Sequence, residues 1–135
     1  MTAIAKKEYE ALAGFRFALR EFLQFSEEAA AAAGLTPRQH QALLAMLAFP
    51  GREAATIGEL AIQLQIRPNS AVGLVDRLEA QGLVTRRSDG TDRRQVYVSL
   101  KPKGRRLLEK LSAAHKAELE RLGPRLREVL SALEL

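Results

Sequence analysis

The amino-acid sequence predicts a mostly α-helical fold with one small β-hairpin, and three patterns support this. Apolar residues recur at three- and four-residue spacing near both ends of the chain, which is typical of amphipathic helices. Capping boxes that begin at Thr36 and Thr56 mark further helix starts in the middle. Beyond them, two short segments rich in β-branched residues flank a turn-forming loop, which is typical of a hairpin.

Length and composition exclude several classes of protein. The 135 residues fit one domain, and an apolar fraction of 47% is ample for a packed core. Because the chain has no cysteine, disulfides, thiolate metal sites and thiol-based redox sensing are excluded within it. No apolar run approaches the ~20 residues that span a bilayer. The first residues also lack a signal-peptide pattern, so we expect a cytoplasmic protein without a membrane partner.

The first segment, residues 4–33, has the apolar spacing of a long helix that ends at Gly34. Four phenylalanines fall within eleven of its residues. This is more apolar surface than one small domain easily covers. We therefore expect the helix to pack in a core or against a partner helix.

Three shorter helices follow. Thr36 is the N-cap of the first, with Pro37 at its first helical position, and the capping box at Thr56 opens the second. Pro68 opens the third. We expect the apolar residues of the second and third to point inward: Leu60, Leu64, Val72, Val75 and Leu78. Two short helices separated by a tight turn, the second of which begins with polar and cationic residues, are typical of a helix-turn-helix.

A hairpin follows the helix-turn-helix. Residues 83–87 and 95–100 are predicted strands, and the loop between them, residues 88–94, is rich in turn formers and charge. A helix-turn-helix followed by a hairpin with a cationic tip predicts a winged helix, in which the hairpin is the wing.

The last third of the chain is helical again by pattern. Pro102 opens a helix, and we expect Gly123 and Pro124 to break it. A short final helix is then predicted, lined by Leu126, Val129, Leu130 and Leu133.

The formal net charge of +5 is unevenly distributed. Residues 67–106 contain 10 basic and 4 acidic side chains, whereas the remaining residues together carry a net charge of −1. A run of charge is either a solvated face or a footprint for a polyanion. Because this run coincides with the second helix of the helix-turn-helix and with the wing, we favour nucleic acid over a membrane surface.

Two runs of residues carry a family resemblance. They are residues 74–84 (LVDRLEAQGLV) and residues 92–104 (DRRQVYVSLKPKG). In order and spacing they resemble the MarR family of bacterial transcription regulators, and the match extends over roughly residues 10–130. The most specific part is the Asp-Arg-Arg wing, which is followed at fixed spacing by a strand and Gly104.

Resemblance to this family implies a winged helix-turn-helix DNA-binding domain in residues 35–100. It also implies a helical dimerisation region formed by residues 1–34 and 101–135. The protein would be an obligate homodimer that binds a pseudo-palindromic operator in double-stranded DNA. The apolar surface of the first and last helices would then be covered in the dimer.

Three residues depart from the family pattern. Lys101 stands where the family usually has Thr, and Gln65 takes a turn position where Gly is frequent. Arg67 stands where Ser or Thr often caps the recognition helix, the second helix of the helix-turn-helix. Each departure weakens local capping by about 1 kcal/mol at most. Arg67 can compensate by placing a cation at the DNA backbone.

The expected DNA-binding residues lie on the recognition helix and the wing. They are Arg67, Pro68, Asn69, Ser70, Gly73, Arg77, Arg86, Arg87, Asp92, Arg93 and Arg94. Asn69 and Ser70 hydrogen-bond base edges, or they only cap the helix. Gly73 either permits close approach to the groove or is merely tolerated. Arg77 either contacts a phosphate or pairs with Asp76 or another nearby acid.

In the wing, the resemblance favours Arg94 as the residue that enters the minor groove, with Arg93 as the alternative. The resemblance also implies that Asp92 braces the loop through a salt bridge. Arg86 and Arg87 on the preceding strand either contact phosphates or are solvated.

The resemblance also implies a repressor that a small aromatic or carboxylate ligand releases from DNA. The polar groups available for this ligand are Arg16, Arg20 and His40, although a lone histidine is more often structural. The alternative is an architectural winged-helix protein, or a nucleic-acid-binding protein that no ligand regulates. An enzyme is not expected, because the sequence has no cysteine nucleophile and no glycine-rich phosphate loop. No metal or cofactor is expected.

Overall fold

Residues 3–89 and 92–135 are described by this computed structural model, without the side chains of residues 89 and 92–94. The elements, in chain order, are α1 (Lys6–Ala32), α2 (Pro37–Leu47), β1 (Ala55–Thr56), α3 (Ile57–Leu64), α4 (Pro68–Ala80), β2 (Val84–Asp89), β3 (Asp92–Leu100) and α5 (Pro102–Ala132). The predicted mostly helical fold with a β-hairpin is confirmed.

The chain forms two compact units. The helical unit comprises Met1–Ala29 and Ser112–Leu135, and the helix-turn-helix unit comprises Ala30–Leu111. The domain boundaries inferred from the family resemblance stay a prediction.

Both predicted capping boxes are present. In the first, the backbone N–H of Gln39 donates to Thr36 Oγ1 at 3.2 Å, and the N–H of Thr36 donates to Gln39 Oε1 at 3.0 Å. In the second, Glu59 N–H donates to Thr56 Oγ1 at 3.1 Å and Thr56 N–H donates to Glu59 Oε1 at 2.8 Å. These bonds satisfy backbone donors that a helix start leaves without partners, so α2 and α3 begin where the sequence predicts.

The sheet has three strands in the order β1-β3-β2, and both pairings are antiparallel. The sequence predicted only β2 and β3. β1 escaped prediction because it has two residues, Ala55 and Thr56, which are too few to show an alternating pattern. It is a strand only because it pairs with Val98 and Tyr97 of β3.

The core of the helix-turn-helix unit joins its helices to the sheet. The fully buried large side chains of this unit include Leu43, Met46, Leu60, Val75, Leu78, Val84 and Val98. The prediction that Val72 points inward is wrong, because its side chain is 41% exposed. The buried face of α4 is instead Ala71, Leu74, Val75 and Leu78, whose three- and four-residue spacing leaves position 72 on the solvent side.

The turn between α3 and α4 is tight and left-handed. Gln65 has φ 55° and ψ 46°, a conformation that costs a residue with a Cβ atom about 1 kcal/mol. The N–H of Ile66 closes the turn by donating to the carbonyl of Ala61 at 3.0 Å. The presence of Gln rather than Gly at this position therefore introduces a small backbone strain in the turn that sets the direction of the recognition helix.

The predicted break at Gly123 and Pro124 is wrong, because α5 continues through both to Ala132. Proline removes one helical hydrogen bond and costs about 3 kcal/mol in a helix interior. The burial of apolar side chains on both sides of Pro124 outweighs this cost: Leu122 is 2% and Val129 is 7% exposed. Tertiary burial therefore overrides the local preference.

In the helical unit, polar contacts add to the apolar packing of α1 and α5. Glu21 forms salt bridges with Arg121 and Arg125. Nε2 of His115 lies 2.8 Å from Ser26 Oγ.

Within residues 3–89 and 92–135, no helix combines the length and apolarity needed to cross a bilayer. The side chains described over the same residues include no group of three or more His, Asp or Glu that could hold a metal ion.

The start of α5 passes very close to the backbone that links α4 to β2. The N–H of Lys101 donates to the carbonyl oxygen of Leu83 at 2.9 Å. A Cβ atom on Gly104 would lie only 2.2 Å from that same oxygen. Glycine at position 104 is therefore required by this close approach of two backbones.

We predict that Gly104→Ala lowers the free energy of unfolding by about 1–3 kcal/mol or more, because the backbone must move to make room for the Cβ atom. Urea denaturation of the purified variant measures this change. Gly58→Ala is the matched control, since a Cβ atom there meets only Thr56 Oγ1 at 3.9 Å. Equal unfolding midpoints for the two variants would contradict the close-approach argument.

Candidate nucleic-acid interface

α4 presents a polar face to solvent because its apolar face is buried. The exposed residues at its N-terminal end are Arg67, Pro68, Asn69 and Ser70, and Arg77 is exposed two turns further along. Gly73 lies between them and is half-buried. The structure therefore places these six predicted site residues on one helix, with their polar groups accessible.

The N-terminus of α4 lacks a side-chain cap. Arg67 occupies the N-cap position with an extended backbone (φ −72°, ψ 148°), but its side chain makes no capping hydrogen bond. In the part of the chain that the structure describes, the side chains of Asn69 and Ser70 make no such bond either. The capping interpretation of Asn69 and Ser70 therefore finds no support, and both side chains can reach an external partner.

A groove of about 640 Å³ separates the start of α2 from α4. Its lining residues are Thr36, Pro37, Arg38, Ile66, Asn69, Ser70, Gly73, Leu74 and Arg77. Two of these residues, Arg38 and Arg77, carry positive charge and come from different helices. Arg38 was not among the site residues predicted from the sequence. The signal that points to it is its place in the first turn of a capping-box helix next to the recognition helix.

The guanidinium of Arg77 lies over Gly73. A Cβ atom at position 73 would be 3.7 Å and 3.8 Å from the two terminal nitrogens of Arg77, an ordinary contact distance. Packing of this unit therefore does not require glycine there, and the role of Gly73 in close approach to DNA stays a prediction.

Asp76 pairs with Arg86 of β2. Arg86 Nη2 lies 2.6 Å from Asp76 Oδ1, and Nη1 lies 2.6 Å from Glu79 Oε1. The hydrogen bond that Arg86 donates to Asp76 raises the pKa of Arg86, an effect that burial partly offsets. Among the side chains that the structure describes, Arg77 forms no salt bridge, so the alternative pairing of Arg77 with Asp76 is wrong.

Arg86 therefore ties β2 to α4, and two carboxylates of the recognition helix compensate its charge. Arg87, the next residue, is exposed on β2 opposite Tyr97 of β3. The side chains of Asp92, Arg93 and Arg94 lie outside the described residues, although their backbone begins β3. The predicted salt bridge and minor-groove contact of the wing stay predictions.

The residues expected near a ligand are divided between the two units. Arg16 and Arg20 are exposed on α1 in the helical unit, and His40 is 5% exposed on α2 in the helix-turn-helix unit. Their role in ligand binding stays a prediction.

Comparison with known proteins shows a similarity to one family. Its sequence profile, described as MarR family, matches residues 33–95. A solved MarR family protein from Bacillus stearothermophilus is 26% identical and superposes with a TM-score of 0.75 over 89% of this chain and 82% of its own. Over residues 33–95 the chain is similar to the MarR family, and it has the fold of this solved MarR family protein.

A curated repressor and a DNA-bound structure are also similar to this chain. The transcriptional repressor MdtR of Bacillus subtilis (strain 168) is 28% identical over 88 residues, which are 65% of this chain and 55% of MdtR. The chain spans about half or less of the length of the curated relatives that it matches. A mutant of MepR from Staphylococcus aureus, solved bound to an oligodeoxyribonucleotide, has the same fold: 23% identity, TM-score 0.72, 93% of this chain and 97% of that chain.

The curated relatives that this chain matches are named as transcription regulators, in agreement with the prediction that the protein is not an enzyme. The predicted fold class is likewise confirmed by these winged-helix neighbours.

Arg86→Ala leaves Asp76 and Glu79 uncompensated on the recognition helix, so we predict weaker binding of duplex DNA. Fluorescence anisotropy with a labelled 25-bp duplex measures the affinity. If Arg86 acts by neutralising these acids, Asp76→Asn with Glu79→Gln raises affinity more in the Arg86→Ala background than in the wild type.

A direct phosphate contact by Arg86 gives a different result. The two acid substitutions would then raise affinity equally in both backgrounds, and Arg86→Ala would lower the slope of log affinity against log salt by about one. That outcome would contradict the neutralising role.

Proposed function

We propose that this chain is a member of the MarR family: a homodimeric, sequence-specific DNA-binding transcription regulator that acts as a repressor in the cytoplasm. The observation that carries the proposal is the exposed polar face of α4, flanked by an arginine-lined groove, in a winged-helix unit. In this proposal α4 enters the major groove of the operator and the hairpin β2–β3 reaches the minor groove.

Asn69 and Ser70 read base edges in the major groove. An asparagine side chain can bond adenine bidentately, and a serine hydroxyl can bond either type of base. Both residues lie in the first turn of α4, which is the part of a recognition helix that contacts base edges. Their exposure and their lack of capping bonds in the described structure support this role.

The phosphate backbone is held by exposed arginines around α4. Arg67 is the N-cap of α4 and Arg77 lies on the helix, Arg38 lines the same groove as Arg77, and Arg87 lies on β2. Pro68 starts the helix with a preset backbone angle and offers no N–H. Backbone contacts of this kind orient the protein and supply much of the affinity without reading sequence.

The wing completes the footprint. The family resemblance assigns the minor-groove contact to Arg94 or Arg93 and the bracing salt bridge to Asp92. Arg86 acts from the base of the hairpin by pairing with acids of α4 rather than by contacting a phosphate.

A second copy of the chain covers the apolar surface of the helical unit. Large apolar side chains of this unit are at least 40% exposed, namely Tyr9, Leu12, Phe15, Phe17, Leu19, Leu23, Leu119 and Leu130. A monomer seldom leaves so many exposed on two helices, whereas a dimer interface buries them. This supports the homodimer, whose two recognition helices would match a pseudo-palindromic operator.

Repression and its release by a ligand complete the proposal. The name of MdtR as a repressor supports repression here. A small aromatic or carboxylate effector is proposed from the family resemblance, with Arg16, Arg20 and His40 as its polar partners. Such an effector releases the protein from operator DNA in a gel-shift assay.

We predict a protected inverted repeat of about 20 bp, with half-sites one helical turn apart, in the DNA upstream of the gene for this chain. DNase I footprinting at increasing protein concentration tests this, with a scrambled duplex of equal length as the control. Protection that spreads without sequence preference would favour an architectural protein, and absence of binding at low salt would overturn the proposal.

Arg67→Ser is predicted to change stability and DNA binding in opposite directions. The serine side chain caps α4 and raises the free energy of unfolding by about 0.5–1 kcal/mol. Loss of the cation weakens operator binding and lowers the salt slope by about one per protomer. Thermal melts and anisotropy titrations at several salt concentrations measure the two effects.

Arg67→Ala is the matched variant, because it removes the cation without adding a cap. It should weaken binding as much as Arg67→Ser and leave stability unchanged. Unaltered DNA affinity in both variants would remove Arg67 from the proposed interface.

A further inference from the structure

The side chain of Arg52 joins the base of the wing to the helix-turn-helix. Arg52 lies in the loop between α2 and β1. Its guanidinium carbon is 4.2 Å from the ring centroid of Phe49, just after α2, and 4.9 Å from that of Tyr97 on β3. Both distances are within the range of cation–π attraction, so the cation bridges the end of one helix and a strand of the wing.

The same guanidinium forms a bidentate pair with Glu59 on α3. Arg52 Nη1 lies 2.9 Å from Glu59 Oε1, and Nη2 lies 2.5 Å from Oε2. Glu59 also accepts the N–H of Thr56 and so closes the capping box of α3. The planar fork of arginine is required for this arrangement, because it stacks on rings and bonds a carboxylate with both nitrogens at once.

Glu59 is ionised at neutral pH. Burial raises the pKa of its carboxyl, but hydrogen bonds from Thr56 and Arg52 outweigh burial and hold that pKa below the usual value of a glutamate. The side chains of Arg52 and Glu59 are 35% and 26% exposed, so water screens this pair less than a fully exposed one.

Tyr97 forms the residue pair between β3 and β1 that lies nearest the turn of the hairpin. It pairs with Thr56 of β1 on one side and with Arg87 of β2 on the other. Because β1 has only two residues, its backbone pairing holds β3 over only a short length of the strand. Arg52 adds a side-chain anchor at the same place.

Small rotations at this anchor cause larger displacements at the start of β3. β3 begins at Asp92, five residues before Tyr97, or about 17 Å away at about 3.3 Å per residue. A rotation of about 10° at Tyr97 moves that end of the strand by about 3 Å, which is enough to break a hydrogen bond.

We propose that Arg52 is a positioning residue for the wing: it fixes β3 relative to α3 so that the wing and α4 meet their two DNA grooves together. This inference rests on the proposed DNA binding. Arg52 acts through Tyr97 and Glu59 and makes no contact with DNA itself.

Arg52→Ala and Arg52→Lys test the proposal. Lysine keeps the charge but cannot form the planar, bidentate arrangement, so both variants weaken operator binding, by about tenfold. Binding by Arg52→Lys at wild-type strength would show that only the charge matters and would overturn the positioning role. Glu53→Gln is the matched control, because Glu53 is the next residue and pairs only with Arg105 among the described side chains. It should keep its affinity within about twofold.

A comparison of two backgrounds separates wing positioning from general damage. In an Arg94→Ala background the wing contact is already lost, so Arg52→Ala weakens binding further by less than about twofold. In an Arg77→Ala background, which spares the wing, the loss remains about tenfold. Equal losses in the two backgrounds would overturn the proposal.

Hydrogen exchange without DNA provides a readout that does not depend on the proposed function. Arg52→Ala should speed amide exchange in residues 95–100 of β3 and leave exchange in α4 unchanged. If the wild type fails to bind any operator, the proposed function is overturned while this measurement still tests the anchor. Unchanged exchange in β3 would overturn the anchor itself.

Discussion

Ala71, Leu74, Val75 and Leu78 pack α4 into the core of the helix-turn-helix unit, and each is at most 4% exposed. Burying side chains of the size of Leu or Val stabilises a fold by about 1.5–3 kcal/mol each. Because residues three and four apart share one face of a helix, this packing also turns the polar first turn of α4 towards solvent. The proposed DNA face exists because the opposite face is buried.

Four arginines of this unit form two groups. Arg52 and Arg86 are held by carboxylates and join elements of the fold, whereas Arg38 and Arg77 line an open groove. Bidentate pairs with carboxylates have a defined geometry, so the first group shapes the interface. The second group remains available for phosphates. The basic excess counted along the chain therefore contains both structural charges and charges offered to a partner.

Structural features that depend on a few neighbouring residues were predicted best. The capping box at Thr36 is made within four residues, so its sequence is nearly sufficient to place the start of α2. Predictions failed where contacts between residues far apart in the sequence determine the local structure. The strand β1 depends on pairing with β3, and α5 passes through Pro124 because the apolar side chains around it are buried. Val72 is apolar but lies one position outside the buried face of α4.

The sequence by itself determined the order of α1 to α4 and of the two hairpin strands, the starts of the capped helices and the resemblance to MarR regulators, because each depends on residues close together in the chain. Only the tertiary structure decided which charges are compensated. Arg86 meets two acids of α4, and Arg52 meets Glu59 and the ring of Tyr97. The reason is physical: an ion pair depends on distance and orientation in space, and both follow from how helices and strands pack together.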